Sequence, residues 1–275
     1  MKIPIEDFFE DILGKAMRGL GIQPEHLAEK TGVELDTIQK LAKGRLTDET
    51  SLRTLASALG LDPQALVVSA KKEWYPQTAG LEGLKQFNTP WHDMRVNAFL
   101  IWDPNTRIAA AFDTGADASE LLSTVQTLDL KLESIFITHS HGDHTVELET
   151  LINACSPPPS IYANRLEPLH GAAEFDEGTV FAIGDLRVHT FTTSGHSVGG
   201  TTYFIEGLDK PIAIVGDAMF AGSMGGGMVS YADALENNRD KILTLPDNTI
   251  LCPGHGPMST IGEEKAHNPF FPEFK

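Results

Sequence analysis

The chain has 275 residues, 41% of them apolar and 21% charged, an ordinary folding composition that excludes a disordered or low-complexity protein. Asp and Glu number 38 against 21 Lys and Arg, a net charge of −17 at pH 7, so a chain-wide surface for nucleic acid or anionic membrane is excluded. Cys155 and Cys252 are too few for a disulfide framework, and the sequence has neither a secretory-type start nor a run of ~20 apolar residues, so a cytoplasmic protein off the membrane is expected.

Residues 1–70 have the texture of short amphipathic helices. Phe8, Phe9, Ile12, Leu13 and Ala16 recur at helical spacing until Gly19 to Gly21 stop them. Pro24 opens a second helix that Thr31-Gly32 ends. Leu35, Ile38, Leu41 and Ala42 mark a third, ended by Gly44. Asp48 is placed to cap a fourth, with Leu52, Leu55, Ala56 and Leu59 on one face, and Asp62-Pro63 starts a fifth. Between Gly21 and Gly60, the run Leu27 to Gly32, then Ile38, Gly44 and Leu55 to Gly60, resembles the lambda-repressor/Cro type of helix-turn-helix. That resemblance implies a third helix, roughly Glu34 to Lys43, that enters a DNA major groove, with Lys40, Lys43 and Arg45 as contacts. The charge runs the other way, since residues 1–70 hold 8 Lys and Arg against 11 Asp and Glu. A docking or self-association module is the other use of such a bundle.

Residues 71–95 are expected to form a connector, broken by Trp74-Tyr75-Pro76 and Thr89-Pro90-Trp91. From residue 96 to 275, strands alternate with turns and helices in a mixed α/β pattern. Strands are predicted at Val96–Trp102, Ile108–Phe112, Ser134–Thr138, Ser160–Ala163, Leu186–Thr192, Thr201–Glu206, Ile212–Val215 and Thr249–Cys252, with helices over Ala118–Leu128 and around Val146 to Ile152.

The chemistry concentrates at strand ends. Thr138-His139-Ser140-His141-Gly142-Asp143-His144 follows one buried strand, His196 follows another, Asp217 a third and His255 a fourth. Ligands gather at the carboxyl ends of strands in α/β sheets. Five imidazoles and two carboxylates exceed one tetrahedral site and suit a pair of divalent ions, with zinc expected and iron or manganese as alternatives.

The run at 139–144, with His196, Asp217 and His255 in order, resembles the metallo-β-lactamase superfamily. That likeness implies an αββα sandwich, here preceded by the small all-α helix-turn-helix domain. It also implies that His139, His141 and His196 hold one metal, that Asp143, His144 and His255 hold the second, and that Asp217 bridges them. True β-lactamases usually carry cysteine where this chain has Asp217. The segments Gly216 to Phe220, Leu245 to Pro257 and Gly262 to Phe270 are closer to glyoxalase II-like hydrolases. Two departures count against glutathione as the carrier. Little chain follows His255 to form the extra helical domain of full-length glyoxalase II, and Ser223 to Met228 lacks the arginine-containing turn of short relatives.

The leading expectation is a metallo-hydrolase of the hydroxyacylglutathione hydrolase kind, cleaving a small-molecule thioester or related ester with a water sharpened between two metals. Asp143 would both ligate and orient or accept the proton of that water. One alternative is a mononuclear iron persulfide dioxygenase using His139, His196 and Asp217; another is a DNA-binding regulator with a metal-containing sensor domain. Cys155, Cys252, His170, His189 and His267 are expected to be structural or surface residues. His92 is a candidate for the site's border, and Met224 with Met228 for an adaptable apolar lip.

Overall fold

The computed structural model describes residues 2–77 and 80–275. Five helices come first: α1 (Phe9–Leu20), α2 (Pro24–Thr31), α3 (Leu35–Leu41), α4 (Glu49–Leu59) and α5 (Pro63–Lys71). Apart from α3, which ends at Leu41 short of Gly44, their ends lie where the sequence signals put them. Gly21, Gly32 and Gly60 close α1, α2 and α4 in the left-handed conformation. The side chain of Asp48 accepts from Ser51 N at 2.8 Å, and that of Asp62 from Ala65 N at 2.6 Å, satisfying amides that have no partner within the helix.

The next elements are β1 (Leu84–Trp91), β2 (Met94–Trp102), β3 (Ile108–Phe112), α6 (Ser119–Thr127) and β4 (Lys131–Phe136). They are followed by α7 (Gly142–Thr145), α8 (Leu148–Ala154), β5 (Ser160–Asn164) and β6 (Ala173–Phe175). The six strands β1 to β6 form one sheet in sequence order. Pairing is antiparallel from β1 to β3 and parallel from β3 to β6. The connector expected over residues 71–95 therefore contains a strand. Pro90 disguises it, and proline is tolerated because β1 is the edge of its sheet.

The second sheet is built from β7 (Val180–Ile183), β8 (Leu186–Thr192), β9 (Thr201–Glu206), β10 (Ile212–Gly216), β11 (Ile250–Pro253) and β12 (Ser259–Thr260), again in sequence order across the sheet. Helix α9 (Tyr231–Asn237) and the π-helical turn Asn238–Ile242 lie between β10 and β11, and α10 (Ile261–His267) follows β12.

Strand alternation assigns each side chain to a layer. Phe99, Ile101, Phe112 and Phe136 of the first sheet share a core with Val188, Tyr203, Ile212 and Ile214 of the second. The outer residues Leu100, Ala109, Ala111 and Ile135 pack with Leu121 and Val125 of α6 and Leu151 of α8. On the other side, Ala213, Val215 and Leu251 share one core with Ile12, Leu13 and Ala16 of α1, Leu52 and Leu55 of α4, and the C-terminal Phe270 and Phe271. The architecture is an αββα sandwich, and its N-terminal helices belong to the outer layer over the second sheet. No helix among the described residues is long and apolar enough to cross a membrane.

Candidate metal centre

Four strand ends deliver the site. The chain leaves β4 at Phe136, and the following loop carries His139 and His141 into the short α7, which holds Asp143 and His144. His196 lies beyond β8, Asp217 directly after β10, and His255 just after β11. Both sheets thus contribute, and all seven residues singled out in the sequence are brought together.

Their atoms fall into two facing sets. Nδ1 of His141 lies 3.0 Å from Nε2 of His139 and 3.1 Å from Nε2 of His196. In the other set, Nε2 of His255 is 3.4 Å and Nε2 of His144 3.6 Å from Oδ2 of Asp143. Asp217 reaches both: its Oδ2 is 3.4 Å from His196 Nε2 and 3.5 Å from His255 Nε2, and its Oδ1 is 3.5 Å from His144 Nε2. The triplets His139/His141/His196, His139/His144/Asp217 and Asp143/His144/His255 each bring three donor atoms within 4.8 Å of one another.

The outward nitrogens fix which atom of each ring faces the centre. His255 Nδ1 donates to Arg95 O at 2.6 Å and His196 Nδ1 to Gly226 O at 3.0 Å. The Asp113 carboxylate accepts from His144 Nδ1 at 2.8 Å and from the Thr138 hydroxyl at 2.8 Å, and that hydroxyl accepts from His139 Nδ1 at 3.0 Å. Nε2 of His139, His144, His196 and His255 is left facing inward, where a cation would take the place of any proton it carries. A second carboxylate, Glu167, accepts from Ser140 N and Gly199 N, pinning the loops of His141 and His196 together.

Donor chemistry fits divalent cations. Buried His144 Nε2 and Asp217 Oδ1 have no hydrogen-bond partner. Two lone pairs, from His139 and His196, converge on one nitrogen of His141. Such arrangements are costly without a positive charge between the groups. The carboxylates are held ionised. Burial raises the pKa of Asp217, but the charge and hydrogen bonds of His255 and His144 outweigh this and hold it well below the usual range. Asp143 is lowered in the same way, against burial, by His255 and His144. Burial also opposes a charge on His144, yet Asp113 and Asp217 raise its pKa to about 10; His255, likewise buried, is raised by Asp217 and Asp143 to about 11. His139 is pushed well below its usual value by burial and the neighbouring imidazoles.

His144, His255, His139 and Asp217 line the buried floor, while His141 is exposed and Asp143 half-buried. The site therefore opens on the side of His141 and Asp143. His92 is an exposed turn residue against Trp91, and Trp91 itself approaches Gly142, so the indole borders the opening. Met228 is exposed, but Met224 is fully buried in the core beneath, so the two do not form a shared apolar lip. Cys252 is buried between the sheets, His170 is exposed, His189 pairs with Glu206, and His267 stacks on Trp74. Asp113 and Glu167 were missed in the sequence. Asp113 had one signal, an Asp-Thr-Gly directly after a buried strand, and it adopts a positive φ of 55°.

A model of the family described as "Metallo-beta-lactamase superfamily" matches residues 93–255. Hydroxyacylglutathione hydrolase GloC of Haemophilus influenzae is 29% identical over 197 residues, covering 63% of this chain and 92% of that protein. The crystal structure of ETHE1 from Myxococcus xanthus has a TM-score of 0.59 at 25% identity, covering 68% of this chain and 83% of that one. TTHA1623, solved in a di-iron-bound form, has a TM-score of 0.54 at 25% identity, covering 67% of this chain and 99% of that one.

Proposed function

The chain belongs to the metallo-β-lactamase superfamily, and from that premise we propose that this metallo-hydrolase cleaves acyl thioesters at a two-metal centre. His139, His141 and His196 would hold one divalent ion, zinc or iron being the best suited, and Asp143, His144 and His255 the other, with Asp217 between them. Bound there, the pair supplies Lewis acidity and a water acidic enough to be nucleophilic near neutral pH.

The chain's own residues supply the rest. Asp143 is ionised, half-buried and on the open side, so its carboxylate orients the attacking water and takes up its proton. Asp113 and the Arg95 and Gly226 carbonyls keep four imidazoles in the tautomer that presents Nε2. A thiolate is a good leaving group, so thioester cleavage does not depend on a strong general acid.

The observation that carries this reading is the intact second set. Asp143 and His255 lie 3.4 Å apart around an inward-facing His144. A mononuclear iron dioxygenase built on His139, His196 and Asp217 would leave that set without an ion, so metal content separates the two readings: two ions per chain here, one iron with O₂ consumption there. Ser223 to Met228 carries no charge to meet a glutathione carboxylate, and Val146, Val198 and Met228 are exposed beside the ligand loops. A thioester with an apolar acyl group or carrier fits that rim. The test is thiol release from a panel of acyl thioesters by metal-loaded protein. Turnover is expected to fall by at least a hundredfold in His141→Ala; unchanged turnover in that variant would overturn the reading.

A further inference from the structure

We propose that the N-terminal helices complete the metal centre, with Asp7 and Lys15 as positioning residues that hold His196 in ligating geometry through the loop at 220–226. The proposal rests on the metal-binding reading above. Asp7 precedes α1 and Lys15 lies within it, and the two form an ion pair with their side chains only 9% and 13% exposed. Neither spends its remaining hydrogen bonds on its own helices. Lys15 Nζ donates to Met224 O at 2.8 Å, and Asp7 Oδ2 accepts from Ser223 Oγ at 2.6 Å. Both contacts cross more than 200 positions of sequence to reach two adjacent residues of one loop.

That loop is the back wall of the centre. Gly226 O fixes Nδ1 of His196 at 3.0 Å. Gly225 lies so close that a Cβ on it would sit 1.8 Å from Asp217 O and 3.2 Å from His196 Nδ1. Met224 and Ser223 are fully buried. The opposite side of the loop is held by the C-terminal elements, where Asn268 Nδ2 donates to Ser223 O at 2.7 Å and Glu264 Oε2 accepts from Gly222 N at 3.0 Å. The loop is thus clamped from two sides, and the N-terminal side of the clamp is ionic. The segment leading into α1 also runs beside the last ligand loop: a Cβ on Gly256, next to His255, would meet Glu6 N at 3.2 Å.

A buried ion pair is a poor source of stability, because desolvation cancels most of the attraction. Its directed hydrogen bonds are what an apolar pair could not supply. Here they fix the height of Met224, and so of the Gly226 carbonyl two residues on. Loss of groups that orient ligating histidines typically weakens metal binding by about 10–100-fold.

Cobalt(II) titration of the full chain reads the effect directly, because the visible bands of cobalt report ligand geometry without any substrate. In Asp7→Asn/Lys15→Met, which removes both charges, and in Ser223→Ala, which removes one link, one of two cobalt ions is expected to bind at least tenfold more weakly, with altered band intensities. Lys15→Arg, which keeps the ion pair, is expected to restore the wild-type spectrum. Wild-type affinity and spectrum in Ser223→Ala and in the folded double variant would overturn the proposal. If the double variant does not fold, Ser223→Ala alone decides. A wild-type protein that binds no cobalt would instead sink the metal-binding reading on which the proposal stands.

Discussion

Asp113 shows how much of the site lies in residues that never face its centre. One carboxylate accepts from His144 directly and from His139 through the Thr138 hydroxyl, so it sets ring orientation in both ligand sets. Asp113→Asn keeps the shape but removes the charge that faces His144 Nδ1. Metal affinity is expected to drop by about 10–100-fold in competition with a chelator; an unchanged affinity would mean that the backbone alone orients these rings. The seven candidate ligands were legible in the sequence because histidines and aspartates stand at four strand ends in a repeated context. Their supports were not. Arg95 and Gly226 act through main-chain carbonyls, which leave no mark on residue type, and Glu167 becomes relevant only when the fold lays it against Ser140 and Gly199.

Among the elements, α10 has a role beyond packing. Its Glu264 is fully buried and accepts from Gly222 N and Asn268 Nδ2 on one oxygen. Burial raises its pKa from 4.5 to about 7, against the hydrogen bonds that favour the charged form. A folded-state pKa above the unfolded one stabilises the fold fully below pH ~4.5, and that contribution is lost as pH rises towards about 7. Urea unfolding of the metal-free protein at pH 5 and pH 8 measures it. The wild type is expected to lose roughly 2 kcal/mol more than Glu264→Gln between these pH values; equal losses would place the ionised form in the fold at no cost. At this scale the N-terminal helices were the most legible part, because caps and glycine stops are local signals. Strand β1 was not, because Asn88, Thr89 and Pro90 are turn-formers that an edge strand tolerates. The two-residue β12 and three-residue β6 are too short to show alternation.

In the whole molecule, the N-terminal helices are the part whose role the sequence leaves most open. Their local pattern resembles a DNA-binding bundle, and the faces that read as amphipathic are met by the second sheet and the C-terminal phenylalanines. Amphipathicity reports that a face is covered, not by what. Asp62 N also donates to Pro269 O at 2.7 Å, tying the start of α5 to the C-terminal segment. On the exposed α3, Lys40 is already paired with Asp36. Shared packing of this kind makes one cooperative unit. Thermal unfolding followed by far-ultraviolet dichroism and by tryptophan fluorescence is expected to give a single coincident transition; an early loss of helical signal with intact fluorescence would make the helices a separate domain.

Anomalous scattering at the metal edges, on crystals of protein loaded with a divalent ion, bears most directly on the chemistry proposed for these converging side chains. Two peaks per chain are expected, one among His139, His141 and His196 and one among Asp143, His144 and His255, with Asp217 touching both. A single peak, or ions bound away from these residues in fully loaded protein, would contradict the account.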